Sequence, residues 1–554
     1  MKEASMRFDT RVLISWVTIL IMLFLAVAPS AFATTEEIIE AEEDIWDLYY
    51  DGEISVGERD SLLDIIQNKV NINSDEVLEL DIIPGINFAD CMAIHRYLKR
   101  AGPFRKVKYL LEVPGIDEEK YRRIKVFVSM PVVIPMAFKG DLRSRISETA
   151  DDGKSPEVYE RLRLFYGQNL SAYYSAKKGM DEEGYETLWR YVRMRDLGHT
   201  EELIAGDYRV SFGQRLVLAD RFDGLLWRGS FGMVLPSLIY SDDAKDSQEE
   251  IIGANIDLSL LWEAGRVGAT WYRCEDREVD QTYYVYGLHF SLPVRETTLF
   301  GEIAQVEGAG DGFILGTETR LESLKLLALY RSYDADFNNF HSRGFADSDD
   351  TPDDIDERGY YLEASYKFNP RWKVRAYFDQ WKHPSSLVTD QEKLAKLYYT
   401  PSKKLTIEVY RKWHDEDISR GGRSQSSVAG DNIQTAVRVV LKPVPKTKVT
   451  LFYKFTQKDV SKYADRFQED QYTWAKIEYK TAKGLELEGR VKYYDTDIHS
   501  PDGTRYVEYY LQAAREFSKH SEISIRYTPK DYTNPDAPEP DPAQKIRLQI
   551  DLRW

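Results

Sequence analysis

Thiols and imidazoles are scarce in this chain. Only 2 cysteines, Cys91 and Cys274, and 8 histidines are spread over 554 residues. The two thiols lie far apart and in different expected domains, so a bond between them would staple little, and both read as isolated. Zinc-type spacing, a serine nucleophile elbow and a phosphate-cradling glycine loop are all lacking. No catalytic residue, metal set or cofactor is therefore expected, and the chain reads as non-enzymatic. The carboxylates at 47–58 lack the alternation and closing glutamate of a calcium loop, and the Asp-rich stretch 347–357 reads as a solvated loop. Positive charge is in deficit: 74 Lys+Arg against 92 Asp+Glu leave a net charge of -18. That excludes global affinity for nucleic acid and makes any polyanion site local.

A long apolar run occurs once, from Val12 to Ala28. Lys2, Arg7 and Arg11 precede it and Ala31-Phe32-Ala33 follows, the layout of a cleaved export signal over 1–33. Residues 34–69 are acidic and read as a helical hairpin, with Asp51-Gly52 at the turn and Ser55 to Glu58 as a capping box. From 70 to 130 the spacing predicts four short helices: Ser74–Asp81, Phe88–Arg100, Lys106–Glu112 and Glu118–Val128. IPGIN (83–87) turns the first pair and VPGID (113–117) the second.

From about 132 onward the apolar period changes to two. Lys404 to Val409, Trp372 to Ala376 and Leu485 to Glu488 alternate strictly, which gives strands one greasy and one wet face. Connections alternate too. Short turns fall near 263–265, 293–295, 320–323, 369–371, 401–403, 443–446, 482–484 and 518–520. Long polar loops separate them. A sandwich has no reason to keep that rhythm, whereas a transmembrane barrel places short turns on one side and long loops on the other. Upstream strands are expected at 133–147, 157–166, 170–178, 185–197 and 201–218. Residues 219–250 are then expected to be one long excursion folded into the lumen, since they are apolar for an exposed loop; the alternative is an extra pair of strands. The expected fold is an all-β transmembrane barrel of about 22 antiparallel strands over 131–554, preceded by a small all-α tandem helix-hairpin-helix domain. Lipid of the outer membrane is the implied surroundings, with the helical domain in the periplasm. The last strand alternates from Ile546 to Trp554, and its aromatic end resembles the signal read by the barrel assembly machinery.

The stretch 70–128 carries VNIN, PGI at 84–86, GPF at 102–104 and PGI at 114–116. In that combination it resembles the tandem helix-hairpin-helix domain of the ComEA-like family, competence proteins that capture DNA outside the cytoplasmic membrane. The resemblance implies that Gly85, Ile86, Asn87, Gly115 and Ile116 offer backbone amides to a phosphate. The family's hairpin reads P-G-apolar-G; here Asn87 and Asp117 replace the second glycine. Asn87 suits a phosphate, while a carboxylate at Asp117 opposes one by roughly 1–3 kcal/mol. Lys99, Arg100, Arg105, Lys106 and Lys108 cluster at the central linker. Over 70–128, however, ten Lys/Arg face nine Asp/Glu, which is no clear excess. DNA is one expected partner, a periplasmic protein the other.

A second polyanion surface is expected in the lumen. Lys139, Arg143 and Arg145 share one strand face, Arg161 and Arg163 another, and Arg193 and Arg195 a third. If these faces point inward they form an arginine-rich wall, which attracts phosphate or acidic sugar. The alternative is a wet lumen with compensating carboxylates.

Overall fold

The computed structural model describes residues 39, 45, 62, 65–66, 69–73, 86, 88–116, 118–130, 138–149, 155–167, 169–179, 182, 184–243, 248–260, 265–321, 323–345, 356–385, 388–415, 432–461, 466–481, 484–500, 505–518, 521–532 and 544–553. The expected export signal, the expected helix 74–81, most of 34–69 and most of the Asp-rich loop lie outside them.

The N-terminal module is a small helical knot tied at its ends. Strand β1 (Val70–Asn71) lies parallel to β2 (Val128–Ser129), and the amides of Val70 and Ile72 donate to the carbonyls of Phe127 and Ser129. Between them run α1 (Phe88–Ala101), a 3-10 helix (Val107–Glu112) and α2 (Glu118–Ile124). Gly102 at φ 81° ends α1, its amide bonded 2.9 Å from the Leu98 carbonyl; only glycine adopts that conformation cheaply. Asn73, the last residue of VNIN, holds the linker by exchanging bonds with the backbone of Phe104, donating at 3.0 Å and accepting at 2.7 Å. Ile39, Ile45, Ile65 and Ile66 are buried in the same apolar cluster as Ile94, Leu110, Ile124 and Phe127. The acidic preface therefore shares one core with the hairpins, and residue 69 is not a core boundary.

A closed barrel of 24 antiparallel strands follows, β3 (Phe138–Thr149) through β26 (Gln544–Arg553), closing where β26 pairs with β3. Closure leaves no edge strand, so the strands pair within the sheet. On β16 (Glu357–Asn369), Tyr360, Leu362, Tyr366 and Phe368 project outward while Glu357 and Tyr361 are buried inside. Tyr360 and Phe368 are eight positions apart, about 26 Å along the strand at ~3.3 Å per residue, and about 20 Å along an axis tilted by ~40°. At the short-turn end Phe138, Tyr166, Trp372, Tyr479 and Phe517 are also exposed aromatics. Tyr240, Tyr330 and Tyr509 form the corresponding set toward the long loops, with Leu288, Leu315 and Leu511 between. This is the apolar band with two aromatic girdles that lipid requires.

The strand count exceeds the expected 22 because 219–250 is not a lumen-folded loop. It contributes β8 (Ala219–Gly229) and β9 (Val234–Asp243) to the wall. Phe222, Leu226 and Ile239 face an apolar interior rather than water, so the wet inner face on which the period of two depends is missing there. The segment that folds inward is the preceding one, 212–218, which the alternation had placed at the end of a strand.

Candidate functional site: a lumen entered from both ends

A circular barrel of 24 strands, ~4.8 Å apart and tilted ~40°, has a Cα diameter of about 48 Å. Two different devices enter this one. At the short-turn mouth, β14 (Asp311–Leu321) turns Glu318 and Arg320 inward. The Arg320 guanidinium meets Asp90 Oδ1 of α1 at 2.6 Å, donates to the Pro114 carbonyl at 3.2 Å and pairs with Glu318. Lys120 of α2 holds the other Asp90 oxygen. On β19 (Leu405–Asp415), Glu408 receives Arg122 of α2 at 2.7 Å. Lys325 continues the chain of charge from Glu318 to Glu363 (3.8 and 4.0 Å), which Arg375 meets at 3.2 Å. The helical module is thus seated in the mouth by ion pairs to two separated stretches of wall.

Asp90 is fully buried. Burial opposes its ionisation, but Arg320, Lys120 and Lys325 outweigh burial and hold the carboxyl well below its ordinary 3.8. Burial pushes the Lys120 ammonium down to about 8, with Asp90 acting against that. The docking energy from Asp90 is therefore complete above its ordinary value and is lost as pH falls below it. Lys120 has the opposite sign: the seated form binds its proton less tightly, so its titration favours seating as pH rises from about 8 toward 10.5. We expect module release, followed by protease cutting near 100–108, to be flat from about pH 4 to 8 and to rise steeply below pH 4. Release beginning near pH 6 would contradict this assignment.

The second hairpin meets the barrel. Gly115 lies at φ 92°, and a Cβ there would fall 1.8 Å from Arg320 Nη1. Arg320 thus lies beside the second hairpin's backbone, while Gly115 itself stays exposed. Ile86 and Ile116 are buried in the module core. Gly85, Asn87 and the side chain of Lys99 lie outside the described residues. Arg100, Arg105, Lys106 and Lys108 remain exposed.

The expected lumen arginines do face inward, and they are interleaved with carboxylates. Arg143 meets Asp551 at 2.6 Å; Arg161 and Arg163 share Asp141 at 3.1 and 2.6 Å. Arg145, Lys177 and Lys545 approach Glu157 at 3.9, 3.8 and 3.6 Å. Arg193, Arg195 and Arg228 converge on Glu202 at 3.1, 3.0 and 3.1 Å. Lys139 alternates with Asp141 along β3. Counting those in ion pairs, nine cations share four carboxylates, so the wall keeps a positive excess among the named groups. Its strands, β3 to β8 with β26, stand across the ring from the module's contacts on β14 and β19.

From the long-loop end, 212–218 and 334–345 fold into the lumen. Glu302 of β13 (Thr297–Val306) accepts from the amides of Gln214, Leu216 and Val217, the last two at 3.1 Å. Asn339 donates to the Leu216 and Val217 carbonyls at 2.9 Å each. Val217 packs where Gly287 leaves room; a Cβ there would come within 2.1 Å of it. Below, Arg331 is fully buried between Glu357 and Asp379, 2.6 Å from the latter. The available signals were the unbroken apolar run Leu216-Val217-Leu218 at the end of an expected strand, and the aromatic Phe337, Phe340 and Phe345 in an expected loop.

Residues 66–129 match the family described as a helix-hairpin-helix motif. Among solved structures the chain is similar to OccK3 (OpdO) of Pseudomonas aeruginosa, with 11% identity, 75% of this chain and 95% of that one covered, and a TM-score of 0.33. It is also similar to the siderophore receptor PirA of Pseudomonas aeruginosa (9%, covering 77% and 82%, TM-score 0.43) and to the translocation pore of the P pilus usher PapC (10%, covering 75% and 98%, TM-score 0.35). No curated protein matches the chain closely enough to count as a relative.

Proposed function

We propose that this chain is a gated outer-membrane conduit whose own helix-hairpin-helix module is the plug of its periplasmic mouth, and that a polyanion, DNA foremost, is what it engages. The seating of Asp90 and Arg122 on Arg320 and Glu408 carries this reading. The outward apolar band supports a lipid setting, and short turns belong on the periplasmic side. Both barrel ends share that side, so the preceding module reaches the mouth from the periplasm. The reading involves no bond-making chemistry.

Two observations support a polyanionic cargo. The lumen wall carries more cations than carboxylates among its paired groups, and the strip Arg100, Arg105, Lys106 and Lys108 is exposed and not used in seating. The likeness to ComEA-like modules points the same way. Against it, the second hairpin meets a barrel arginine through the Pro114 carbonyl. That favours a second reading, an assembly protein whose module recognises protein surfaces and whose natural target includes a periplasmic partner.

Fluorescence anisotropy with the full-length protein in nanodiscs and labelled duplex DNA separates the two. The first reading predicts binding that weakens with salt. Reversing Arg105, Lys106 and Lys108 to glutamate removes about three phosphate contacts and lowers the salt slope by about 3, at ~0.9 per contact. Absence of binding at low salt rejects the polyanion and leaves the protein-docking reading.

A further inference from the structure

The in-folded loop 334–345 brings together three groups that sequence spacing never suggested. His341 sits near the loop's end, Glu249 opens β10 (Glu249–Ser259), and Cys274 closes on it from β11 (Arg266–Asp276). In the ladder Ile251 faces Cys274, so Glu249 and Cys274 are diagonal neighbours on one inward face. Cys274 Sγ lies 3.9 Å and Glu249 Oε2 3.6 Å from His341 Nε2, and all three ligand atoms fall within 4.8 Å of one another. We infer that this cluster is a binding site for one divalent cation of the zinc class.

Three features support it beyond proximity. The ligand set of thiolate, imidazole and carboxylate suits a borderline-soft cation. With metal–nitrogen bonds of about 2.0–2.1 Å and metal–sulfur bonds of about 2.3 Å, tetrahedral ligand atoms stand roughly 3.3–3.6 Å apart; the two distances to His341 are already within a few tenths of an ångström of that, and the thiol and carboxylate, inside 4.8 Å, close by about an ångström. Finally, His341 Nδ1 lies 3.0 Å from Asp220 Oδ2. With the proton on Nδ1 donated to that carboxylate, the Nε2 lone pair turns toward Cys274 and Glu249, the arrangement that orients metal-bound histidines.

The site is built rather than accidental. The Ala219 amide donates to the His341 carbonyl at 2.8 Å, and Asn339 Oδ1 accepts from the His341 amide at 3.3 Å. Tyr272 donates to the same Asn339 oxygen, and the His341 ring packs between Phe222 and Tyr272. The cation would join the loop to β10 and β11, so it fastens the closure on the long-loop side. It replaces the proton of the Cys274 thiol, which leaves to solvent.

The test uses the full-length protein in detergent, stripped with a chelator and then loaded with Zn²⁺ or Co²⁺. One metal per chain is expected by elemental analysis, with a thiolate-to-cobalt charge-transfer band. Cys274→Ser and His341→Ala each abolish stoichiometric binding and the band, although Cys91 remains. Asp220→Asn, a positioning change, weakens affinity by about 10–100-fold. If a variant fails to fold, as judged by heat-modifiable migration, protection of Cys274 from alkylation by Zn²⁺ in the unaltered protein is the readout. Substoichiometric metal, cobalt bound without the band, or alkylation indifferent to Zn²⁺ each overturns the assignment.

Discussion

Arg320→Ala is expected to unseat the helical module. The change strips Asp90 of its barrel-side partner while leaving its carboxylate fully buried. Lys120 still holds one Asp90 oxygen, so the cost lies toward the low end of the about 3–5 kcal/mol of an orphaned buried ion, and each ~1.4 kcal/mol is tenfold. The unseated population therefore rises by roughly 10²–10³-fold, read as the rate of protease cutting within 100–108 in membranes. Arg320→Lys cannot serve Asp90, Glu318 and the Pro114 carbonyl together and falls in between. The double change Asp90→Asn with Arg320→Met recovers much of the loss, because removing both charges spares their desolvation. Gly115→Ala attacks the same contact from the other side, since its Cβ would overlap Arg320. Cutting that is equal in the parent and Arg320→Ala would show that the pair does not hold the module.

The second large effect concerns conduction. On the proposed reading the module closes one mouth and the segments 212–218 and 334–345 close the other, so the two act in series. A barrel lacking 34–130 keeps the upper closure, and a barrel with 335–344 replaced by a short glycine-serine link keeps the lower one. Each alone should conduct little in planar bilayers. Together they should open a pore conducting at least roughly tenfold more than either, since barrels of even 16–18 strands leave an aqueous channel. A full-size pore from deletion of 34–130 alone would mean that the in-folded segments do not obstruct the lumen.

Much of this architecture is written locally. Alternation along stretches such as Lys404–Val409 is a backbone-period signal, and turn spacing reveals two ends of different character. The hairpin module declares itself through VNIN, GPF and the paired Pro-Gly turns, and Asn73 on Phe104 shows why those pieces occur together. Alternation failed where the inner face was not wet, at Phe222, Leu226 and Ile239, and two strands were missed there. The inward direction of Arg143, Arg161 and Arg193 was legible because one strand suffices to set a face. Their partners were not, because Asp141, Glu202 and Asp551 arrive through register with neighbouring strands, up to 408 residues away in sequence. The docking contacts were hidden for the same reason. One clue was available: Asp90 shares a helical stripe with Ile94 and Leu98, and a carboxylate on a buried stripe demands a cation from elsewhere.

The central claim is that the chain's own helical module sits in the short-turn mouth of its closed barrel. Arg122→Cys and Glu408→Cys, introduced together, test it directly, because those side chains meet at 2.7 Å across the interface. A short bismaleimide added to intact membranes should join them in high yield within a single chain, giving one species of altered mobility, with neither single cysteine reacting this way. Free alkylation of both cysteines without any intrachain link, in a barrel that still shows heat-modifiable migration, would contradict the account.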